Sequence, residues 1–341
     1  MHTLFGDELD DDDQEITFPI YNEKQIQDAA FDYYREAGFP YRELPLHICQ
    51  QELNKLASMP LSDKLLKHNL CYQVADTYHK HRFHAAAFNM KAPAASFESD
   101  DLLKRAIELR MQNAKTVPTN LFGELTLVRG TQACSNFRPA FASYLYRTYT
   151  HEGATVLDTS TGYGGRLVGY IAAQINGKYI GIDPNKPTHE ANLRMARDLG
   201  VEDQVELHNL PAEDVQHSVL ANRCDFAFTS PPYFKKEIYS TDETQSCMRY
   251  GDSAESWRDN FLVPMLRLQY TALRSGCKNI VNIAPVKING KVYPLDEWTI
   301  EAGKAAGFKY NETRRFMLAT RFGANQDEEQ SFEPVIIFTK L

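Results

Sequence analysis

Residues 156–169 read VLDTSTGYGGRLVG, a pattern typical of a strand, a turn and a helix in succession. An apolar run ends at Asp158, a glycine-rich turn follows, and a helical pattern begins near Gly165. Glycine lets a backbone adopt positive φ and approach a ligand closely. In an open parallel sheet, such a strand–turn–helix unit stands at the carboxyl end of its strand, where ligands bind near the switch point. The stretch therefore predicts a ligand site at the end of the first strand.

Strand and helix patterns continue outward from this stretch. Short β-branched runs alternate with helical patterns, which predicts a parallel sheet covered by helices on both faces. Two final runs predict an antiparallel hairpin at the sheet edge. The predicted strands are Thr155–Asp158, Tyr179–Asp183, Gln204–Leu207, Asp225–Thr229 and Asn279–Ala284, followed by the hairpin of Arg314–Thr320 and Pro334–Lys340. The expected fold class is α/β, a Rossmann-like doubly wound sheet.

Composition divides the chain into three parts. Residues 1–18 form an acidic tail that we expect to be disordered. Residues 19–130 are expected to form a mainly helical N-terminal domain, and residues 131–341 the α/β domain, with a boundary near Arg129–Thr131. The helical patterns of the N-terminal part are Gln25–Ala37, Gln50–Ser58 and Asp100–Ala114.

Acidic residues after the next two strands suit a nucleoside ligand. Asp183 ends the second predicted strand, where a carboxylate can accept hydrogen bonds from both ribose hydroxyls. Asp214 follows the third strand and could accept from an adenine amino group. A dinucleotide is disfavoured, because the loop is not G-x-G-x-x-G and the Asp158 carboxylate would repel a pyrophosphate. The alternatives are a helix-capping role for Asp183 and a plain surface position for Asp214.

Residues 226–234 read FAFTSPPYF, in which the fourth predicted strand ends at Thr229 and is followed directly by Ser-Pro-Pro-Tyr. Two prolines fix φ and remove backbone donors, so nearby carbonyls remain available as rigid acceptors. Ser230 Oγ and the Pro231 carbonyl would together hold the two hydrogens of an exocyclic amine and direct its nitrogen lone pair toward an electrophile. Tyr233 offers a face on which a flipped base can stack. The alternative is a strand-ending Pro-Pro turn with an aromatic plug.

The composition of the whole chain limits the function classes. The net charge is −8, which disfavours a nucleic-acid partner without excluding it, because a local basic face is enough for binding. There is no apolar run of about 18 residues and no signal-peptide pattern, so we expect a cytoplasmic location and no membrane contact. The six cysteines form no C-x-x-C pair, which argues against zinc and against a disulfide framework.

From about residue 131 the sequence resembles the class I S-adenosylmethionine-dependent amino-methyltransferases of DNA. That family carries a cofactor loop followed by (Asn/Asp/Ser)-Pro-Pro-(Tyr/Phe), and the order found here is like the γ type. The whole chain is similar to a group of phage and bacterial proteins described as DNA methyltransferases. The shared strings are YREAGFPY (34–41), NFRP (136–139), GYGGRL (162–167), TSPPYF (229–234) and TQS (244–246).

The resemblance implies the cofactor S-adenosylmethionine and a set of residues around it. The NFRP segment is implied to meet the methionine end, where Arg138 would pair with the carboxylate; an arginine facing water is the alternative. The implied cofactor contacts are Phe137, Arg138, Asp158, Gly162, Gly164, Asp183 and Asp214. The implied catalytic residues are Ser230, Pro231, Pro232 and Tyr233. We expect direct methyl transfer without a metal, and no cysteine follows Pro-Pro as a cytosine-C5 nucleophile would.

Substrate contacts are expected after the Ser-Pro-Pro-Tyr motif. Most adenine-directed members carry Asn or Asp where this chain has Ser230, so cytosine-N4 is slightly favoured over adenine-N6. The polar segment Tyr239–Trp257 would read the substrate, although a plain surface loop is an alternative. The hypothesised substrate contacts are Phe234, Gln245, Arg249 and Tyr250.

A histidine cluster lies upstream, in Tyr78–His84. His79, His81 and His84 invite a metal interpretation, but no cysteine or acidic residue stands at ligand spacing. A phosphate or base contact is a second interpretation. Ordinary helix–loop packing is the third and the most favoured.

The sequence therefore predicts methylation of an exocyclic amino nitrogen in DNA, most simply double-stranded DNA. One rival moves the same chemistry to RNA, and a weaker variant moves it to a small molecule. Another rival is a non-catalytic nucleic-acid-binding subunit of a larger complex. The joint presence of Asp158, Asp183 and Ser-Pro-Pro-Tyr argues against that last hypothesis.

Overall fold

The computed structural model describes residues 22–114, 121–317 and 332–341. The strands are β1 (Ala86–Ala87), β2 (Thr155–Asp158), β3 (Lys178–Ile182), β4 (Val205–His208), β5 (Cys224–Thr229), β6 (Glu237–Ile238), β7 (Leu273–Asn282), β8 (Val286–Ile288), β9 (Lys291–Tyr293), β10 (Phe308–Met317) and β11 (Phe332–Lys340). Seven of them form one sheet in the order β10-β11-β7-β5-β2-β3-β4. The five strands from β7 to β4 run parallel, and β11 pairs antiparallel with both β7 and β10. The predicted doubly wound α/β fold with its C-terminal antiparallel hairpin is confirmed.

Helices cover both faces of this sheet. The α-helices of the described residues are α1 (Glu23–Ala37), α2 (Leu46–Ser58), α3 (Asp63–Lys67), α4 (Tyr72–Tyr78), α5 (Pro93–Glu98), α6 (Asp100–Ala114), α7 (Phe122–Leu127), α8 (Pro139–Tyr149), α9 (Gly165–Ala173), α10 (Lys186–Asp198), α11 (His217–Leu220), α12 (Ser246–Arg249), α13 (Ala254–Trp257), α14 (Val263–Ala272) and α15 (Leu295–Ala306). Val156 and Phe228 belong to one apolar core with α8 and α9, whereas Leu157 and Val281 belong to a second core with α14 and α15. Side chains alternate across a strand, so the two cores lie on opposite faces of the sheet.

The N-terminal part is helical, as predicted. At the start of α1, the Asn22 side chain accepts from Gln25 N–H at 2.9 Å, and the Gln25 side chain accepts from Asn22 N–H at 3.0 Å. This capping box satisfies two backbone donors that the helix would otherwise leave free. All three predicted helices are confirmed as α1, α2 and α6, although α1 and α2 begin earlier than their patterns.

Part of the N-terminal region shares its core with the sheet. Leu56 of α2 and Val74 of α4 pack in the same apolar cluster as Phe141 of α8. A separate cluster joins Tyr34 of α1 to Leu103 of α6. The domain boundary near residue 130 stays a prediction, and the predicted acidic tail of residues 1–18 lies outside the described residues.

Several strand limits differ from the sequence prediction. β7 begins at Leu273 rather than Asn279, and β10 begins at Phe308 rather than Arg314. Their early halves are polar and largely exposed, so they lack the apolar alternation by which a strand is recognised. The short pairs β1–β6 and β8–β9 were not predicted, because two- or three-residue strands carry almost no local signal. Residues 318–320 of the predicted hairpin lie outside the described residues.

Within the described ranges, no helix has both the length and the apolar character needed to cross a bilayer.

Candidate active site

A cleft of about 860 Å³ opens at the carboxyl ends of the parallel strands. It is lined by segments that directly follow β2, β3, β4 and β5, namely residues 159–163, 183–185, 211–213 and 230–233. The strand order reverses between β2 and β5, which makes this edge the switch point at which open α/β sheets bind ligands. Gly123 and Leu127 of α7 add a wall from the N-terminal region. The structure brings Asp183 and Ser230 to one cleft.

Asp158 lies beneath the cleft rather than on its wall. Its buried carboxylate accepts from Arg166 Nε at 2.8 Å, Tyr179 OH at 2.7 Å and Thr229 Oγ1 at 2.9 Å. Arg166 also donates to the Ser160 carbonyl. A buried charge is stable only when it is paired and hydrogen-bonded in this way. The implied cofactor contact of Asp158 is therefore corrected. Its carboxylate oxygens already accept hydrogen bonds that join the strand ends to the glycine-rich loop.

The glycine-rich loop packs tightly against its neighbours. Gly164 has φ of +74°, and a Cβ there would approach His79 Cε1 to 2.8 Å. A Cβ on Gly165 would lie 2.0 Å from the Phe137 carbonyl oxygen. A side chain at Gly164 would displace His79 and α10, and a side chain at Gly165 would displace the backbone at Phe137. Gly162 lines the cleft and Gly164 lies behind it, so the implied cofactor contact of Gly164 stays a prediction.

The Asp183 carboxylate lies where the sequence predicts it. Its Oδ2 accepts from Gly162 N–H at 2.8 Å, and its Oδ1 accepts from Asn185 N–H at 2.9 Å. Each oxygen keeps lone-pair capacity for a ribose hydroxyl. Burial raises the pKa of Asp183 to about 6, and the two backbone donors oppose this rise. The group is therefore mostly ionised at neutral pH and can accept two further hydrogen bonds.

Glu213, rather than Asp214, faces the cleft after β4. The Asp214 carboxylate pairs with Arg249 Nη1 at 2.8 Å. The Glu213 side chain is 5% exposed, and its Oε1 accepts from Tyr250 OH at 2.7 Å and Arg249 Nη1 at 3.3 Å. Burial raises the pKa of Glu213 above its ordinary value. The predicted adenine contact of Asp214 is not supported by this geometry, because Asp214 is paired with Arg249 and the neighbouring Glu213 lines the cleft. Arg249 and Tyr250, predicted substrate contacts, both contact Glu213.

The segment 136–138 docks on the glycine-rich loop. Asn136 Nδ2 donates to the Tyr163 carbonyl at 3.0 Å, and Phe137 lines the cleft beside it. Arg138 caps the start of α8, and its Nη1 donates to the Leu66 carbonyl at 3.3 Å. Its side chain also lines the cleft. A guanidinium in a cavity wall is suited to a carboxylate ligand.

All four residues of Ser230–Tyr233 line the cleft. Ser230 Oγ lies 3.2 Å from Asn282 Oδ1, and Tyr233 OH lies 3.4 Å from the same atom. Lys236 Nζ lies 5.7 Å from the centre of the Tyr233 ring. The structure thus gathers the predicted catalytic residues and adds Asn282, to which no sequence pattern pointed.

Phe234 lies in the core and not in the cleft. Its side chain is 3% exposed, and its ring contacts those of Trp257 and Tyr293 at 6.1 and 5.5 Å between centres. Its φ is +52°, a left-handed backbone that is rare for a bulky residue. Burial of the ring offsets that strain and anchors the turn after Tyr233. The tentative substrate contact of Phe234 is therefore corrected.

A polar wall faces the cleft from the segment after the Ser-Pro-Pro-Tyr motif. Glu237 Oε1 accepts from both Ser135 N–H and Ser135 Oγ at 2.9 Å, and Glu237 Oε2 accepts from Tyr239 OH at 2.7 Å. Gln245, a predicted substrate contact, is 6% exposed and belongs to the same wall. Glu237 was not predicted, because the pairing of β6 with β1 that positions it joins distant parts of the chain.

Four buried polar atoms of cleft residues have no hydrogen-bond partner among the described residues: Arg138 Nε, Tyr163 OH, Glu213 Oε2 and Gln245 Nε2. Buried polar atoms in native proteins are nearly always hydrogen-bonded. Arg138 Nε, Glu213 Oε2 and Gln245 Nε2 are therefore available to a ligand in the cleft. A ligand matching them presents acceptors to Arg138 and Gln245 and a donor to Glu213.

The histidine cluster packs against the glycine-rich loop. His79 Nδ1 lies 2.9 Å from the Ala75 carbonyl, and His81 Nε2 lies 2.9 Å from Thr188 Oγ1. The His81 ring lies 5.5 Å from that of Tyr163. Burial lowers the pKa of His79 to about 3 and that of His81 to about 4, so both are neutral at pH 7. In the described part of the chain, no three His, Cys, Asp or Glu side chains are grouped to hold a metal, and the packing interpretation fits these contacts.

Comparisons with known proteins give likenesses in fold. No protein-family model matches the sequence, and no curated protein matches it. Among solved structures, TrmN from Thermus thermophilus is 16% identical, with a TM-score of 0.41 over 60% of this chain and 49% of that one. A SAM-dependent O-methyltransferase from Thermotoga maritima is 12% identical, with a TM-score of 0.41 over 69% and 71% of the two chains. A methyltransferase from Pyrococcus furiosus is 17% identical, with a TM-score of 0.40 over 60% and 83%.

The chain spans about half the length of the first of these proteins. Likenesses at such identities and TM-scores assign neither an activity nor a substrate. The activity is therefore inferred from the residues of the cleft.

Proposed function

We propose that this chain transfers a methyl group from S-adenosylmethionine to an exocyclic amino nitrogen of a base in duplex DNA, either cytosine-N4 or adenine-N6. The observation that carries this proposal is that Asp183 and Ser230 line the same cleft at the switch point of the sheet. The Asp183 carboxylate is suited to the ribose of a nucleoside ligand, and the Ser230 hydroxyl is suited to a substrate amine. The cleft can therefore hold a nucleoside cofactor and a substrate amine next to each other.

The cleft residues fit the chemistry of this cofactor. Asp183 would accept from the two ribose hydroxyls, and Glu213 Oε2 would accept from the adenine amino group. Arg138 would pair with the methionine carboxylate. Arg138 Nε and Glu213 Oε2 are buried and have no hydrogen-bond partner among the described residues. As a donor and an acceptor, they match the carboxylate and the amino group of this ligand. When bound, the cofactor supplies an electrophilic methyl group.

The substrate amine is held by acceptors from the Ser-Pro-Pro-Tyr motif. Ser230 Oγ and the Pro231 carbonyl would each accept a hydrogen bond from the substrate amine, which would keep its nitrogen lone pair directed at the methyl donor. Both acceptors would also stabilise the positive charge that develops on nitrogen. The methylated nitrogen would release one proton to solvent, and S-adenosylhomocysteine would be the second product. Tyr233 provides the stacking face for a base turned out of the duplex. Gln245 Nε2 would donate to the ring nitrogen beside the amine, an acceptor in both cytosine and adenine.

Replacing Glu213 with glutamine should weaken cofactor binding about tenfold. The glutamine oxygen would be retained by Tyr250 and Arg249, so its NH₂ group would face the adenine amino group, and two donors would meet. Isothermal titration calorimetry measures the effect. Exposed Glu202→Gln is the matched control and should bind the cofactor normally. An unchanged dissociation constant in Glu213→Gln would remove this residue from the cofactor site.

Exposed cations on paired segments that include the cleft residue Lys236, here called the basic rim, support a polyanionic substrate. Lys91, Arg129 and Lys236 are exposed, and Lys236 lines the cleft. Backbone pairing joins their segments: Lys91 N–H donates to the Gly130 carbonyl at 2.8 Å, and Phe88 N–H donates to the Lys236 carbonyl at 2.9 Å. Across the described residues, none of the three cations forms a salt bridge. A local basic rim of this kind can bind phosphates despite the negative net charge of the chain.

The triple alanine variant at Lys91, Arg129 and Lys236 should bind DNA less tightly and with weaker salt dependence. Each phosphate contact contributes about −0.9 to the slope of log K against log salt, so losing three should reduce the slope by about 2.7. Fluorescence anisotropy of a labelled duplex across a salt series measures it. A triple alanine variant at the exposed Lys24, Lys55 and Lys309 is the control. Identical slopes for the two variants would contradict a role for the rim.

The proposed activity is tested by offering tritiated S-adenosylmethionine with duplex DNA, single-stranded DNA or total RNA. We expect label in DNA, with the highest incorporation in the duplex. Label confined to RNA would move the substrate to RNA and leave the chemistry in place. Cofactor binding without transfer to any polymer would contradict the proposed activity.

A further inference from the structure

One amide in the candidate active site contacts both hydroxyl groups of the Ser-Pro-Pro-Tyr motif. Asn282 is the last residue of β7 and is 3% exposed. Its Oδ1 lies 3.2 Å from Ser230 Oγ and 3.4 Å from Tyr233 OH. Its Nδ2 donates to the Pro334 carbonyl of β11 at 2.9 Å. The amide thus bridges the motif and the antiparallel edge of the sheet.

The bond to Pro334 determines which way the amide faces. A carbonyl oxygen only accepts, so the group facing Pro334 must be the NH₂ of Asn282, and Oδ1 must face Ser230. Because Oδ1 also only accepts, the Ser230 hydroxyl has to donate its hydrogen to Asn282. Both lone pairs of Ser230 Oγ are then left on the side away from Asn282.

We propose that Asn282 is a positioning residue that fixes the Ser230 hydroxyl as a hydrogen-bond acceptor for the substrate amine. This inference rests on the proposed function and adds a requirement to it. A serine hydroxyl rotates freely and is a donor or an acceptor according to its surroundings. Without Asn282, the hydroxyl hydrogen would point at the amine part of the time and oppose its N–H groups. With Asn282, the acceptor geometry exists before the base arrives.

The strand pairing explains why the two residues meet. Thr229 of β5 pairs with Val281 of β7, so the next residues, Ser230 and Asn282, leave the sheet side by side. If Asn282 served only to join β7 to β11, its hydrogen bond to the Pro334 carbonyl would be sufficient. The contacts to Ser230 and Tyr233 are additional, and they distinguish the two roles experimentally.

A double-mutant cycle with Ser230 tests the positioning role. Asn282→Ala should lower kcat about tenfold while changing the dissociation constant of S-adenosylmethionine less than about twofold. In a Ser230→Ala background, the same substitution should cost less than about twofold, because the hydroxyl that it orients is gone. Asn279→Ala is the matched control: this buried asparagine of the same strand donates to Gln269 at 2.8 Å and does not line the cleft. Equal losses of kcat in both backgrounds would overturn the proposal, as would a kcat within twofold of wild type in Asn282→Ala.

Neutron diffraction of the deuterated protein gives a readout that needs no activity. We expect the Ser230 deuteron between Oγ and Asn282 Oδ1, and the ND₂ group of Asn282 facing Pro334. A deuteron directed into the cleft, or an ND₂ group facing Ser230, would overturn the inference even if methyl transfer is demonstrated. If the deuteron lies at the expected position but the protein transfers no methyl group, the orientation of the hydroxyl by Asn282 is upheld and the proposed function is contradicted.

Discussion

Replacing Ser230 with alanine should lower the methyl-transfer rate about 100-fold, by analogy with the loss of one preorganised hydrogen-bonding group from an enzyme active site. The serine oxygen is one of two acceptors proposed to hold the amine and to stabilise the charge that develops on its nitrogen. Asp183 and Glu213, which are proposed to hold the cofactor, are untouched by the change. The dissociation constant of S-adenosylmethionine should therefore remain near that of the wild type.

Single-turnover kinetics separates these two effects, because it measures the chemical step apart from cofactor binding. Ser218→Ala is the matched control, since it makes the same chemical change on the exposed surface of α11. It should behave as wild type. Full activity in Ser230→Ala would end the catalytic role assigned to this hydroxyl. A large loss of cofactor affinity would indicate that the substitution disturbs the cleft as a whole.

Replacing Asp183 with alanine should weaken cofactor binding by at least about 100-fold. Hydrogen bonds to a charged group contribute about 1.5 to 3 kcal/mol, and the ribose would lose two of them. The glycine-rich loop would also lose the contact from Gly162 N–H at 2.8 Å. Calorimetry measures the affinity directly, with the exposed Asp203→Asn as the control. Unchanged binding by Asp183→Ala would exclude this residue from the cofactor site.

The same carboxylate predicts how cofactor affinity varies with pH. Burial raises the pKa of Asp183 to about 6, and the ribose hydroxyls donate to its ionised form. Affinity should therefore be constant well above pH 6 and fall as the pH drops through 6, by up to tenfold per pH unit. Asp183→Asn cannot titrate at this position, so its weaker binding should lose that pH dependence. A wild-type affinity that is flat between pH 5 and 8 would show that ionised Asp183 is not required.

The parts of the fold and site that were predictable are those with local signals. β2 and its glycine-rich turn lie within a single stretch of sequence, and Asp183 and Ser230 directly follow apolar runs that are recognisable as strands. Because the carboxyl ends of parallel strands meet at one edge of the sheet, their convergence on one cleft followed from the strand pattern.

The parts that were not predictable depend on pairing between distant segments. Asp158 was interpreted as a cofactor contact, but Tyr179 and Thr229 come from neighbouring strands and use its oxygens. Glu213 and Asp214 are adjacent in sequence, so only the contacts with Arg249 and Tyr250 decide which of them faces the cleft.

Asn282 and Phe234 show the same limitation. The position of Asn282 depends on the register of β7 against β5, and local sequence carries no record of that register. Phe234 follows Tyr233 in an aromatic pair, and its left-handed backbone turns the ring into the core instead of the cleft. Composition alone could not foresee either outcome.

We propose that the acceptor atom is an exocyclic amino nitrogen of a DNA base. Reaction of the wild-type protein with trideuteromethyl S-adenosylmethionine and duplex DNA, followed by nucleoside mass spectrometry, tests it most directly. We predict that the wild-type protein forms deuterated N4-methylcytosine or N6-methyladenine. Ser230→Ala should form the same product at a rate lower by about 100-fold. Deuterium found instead on cytosine-C5 or on a sugar hydroxyl, or none found in a protein that binds the cofactor, would contradict it.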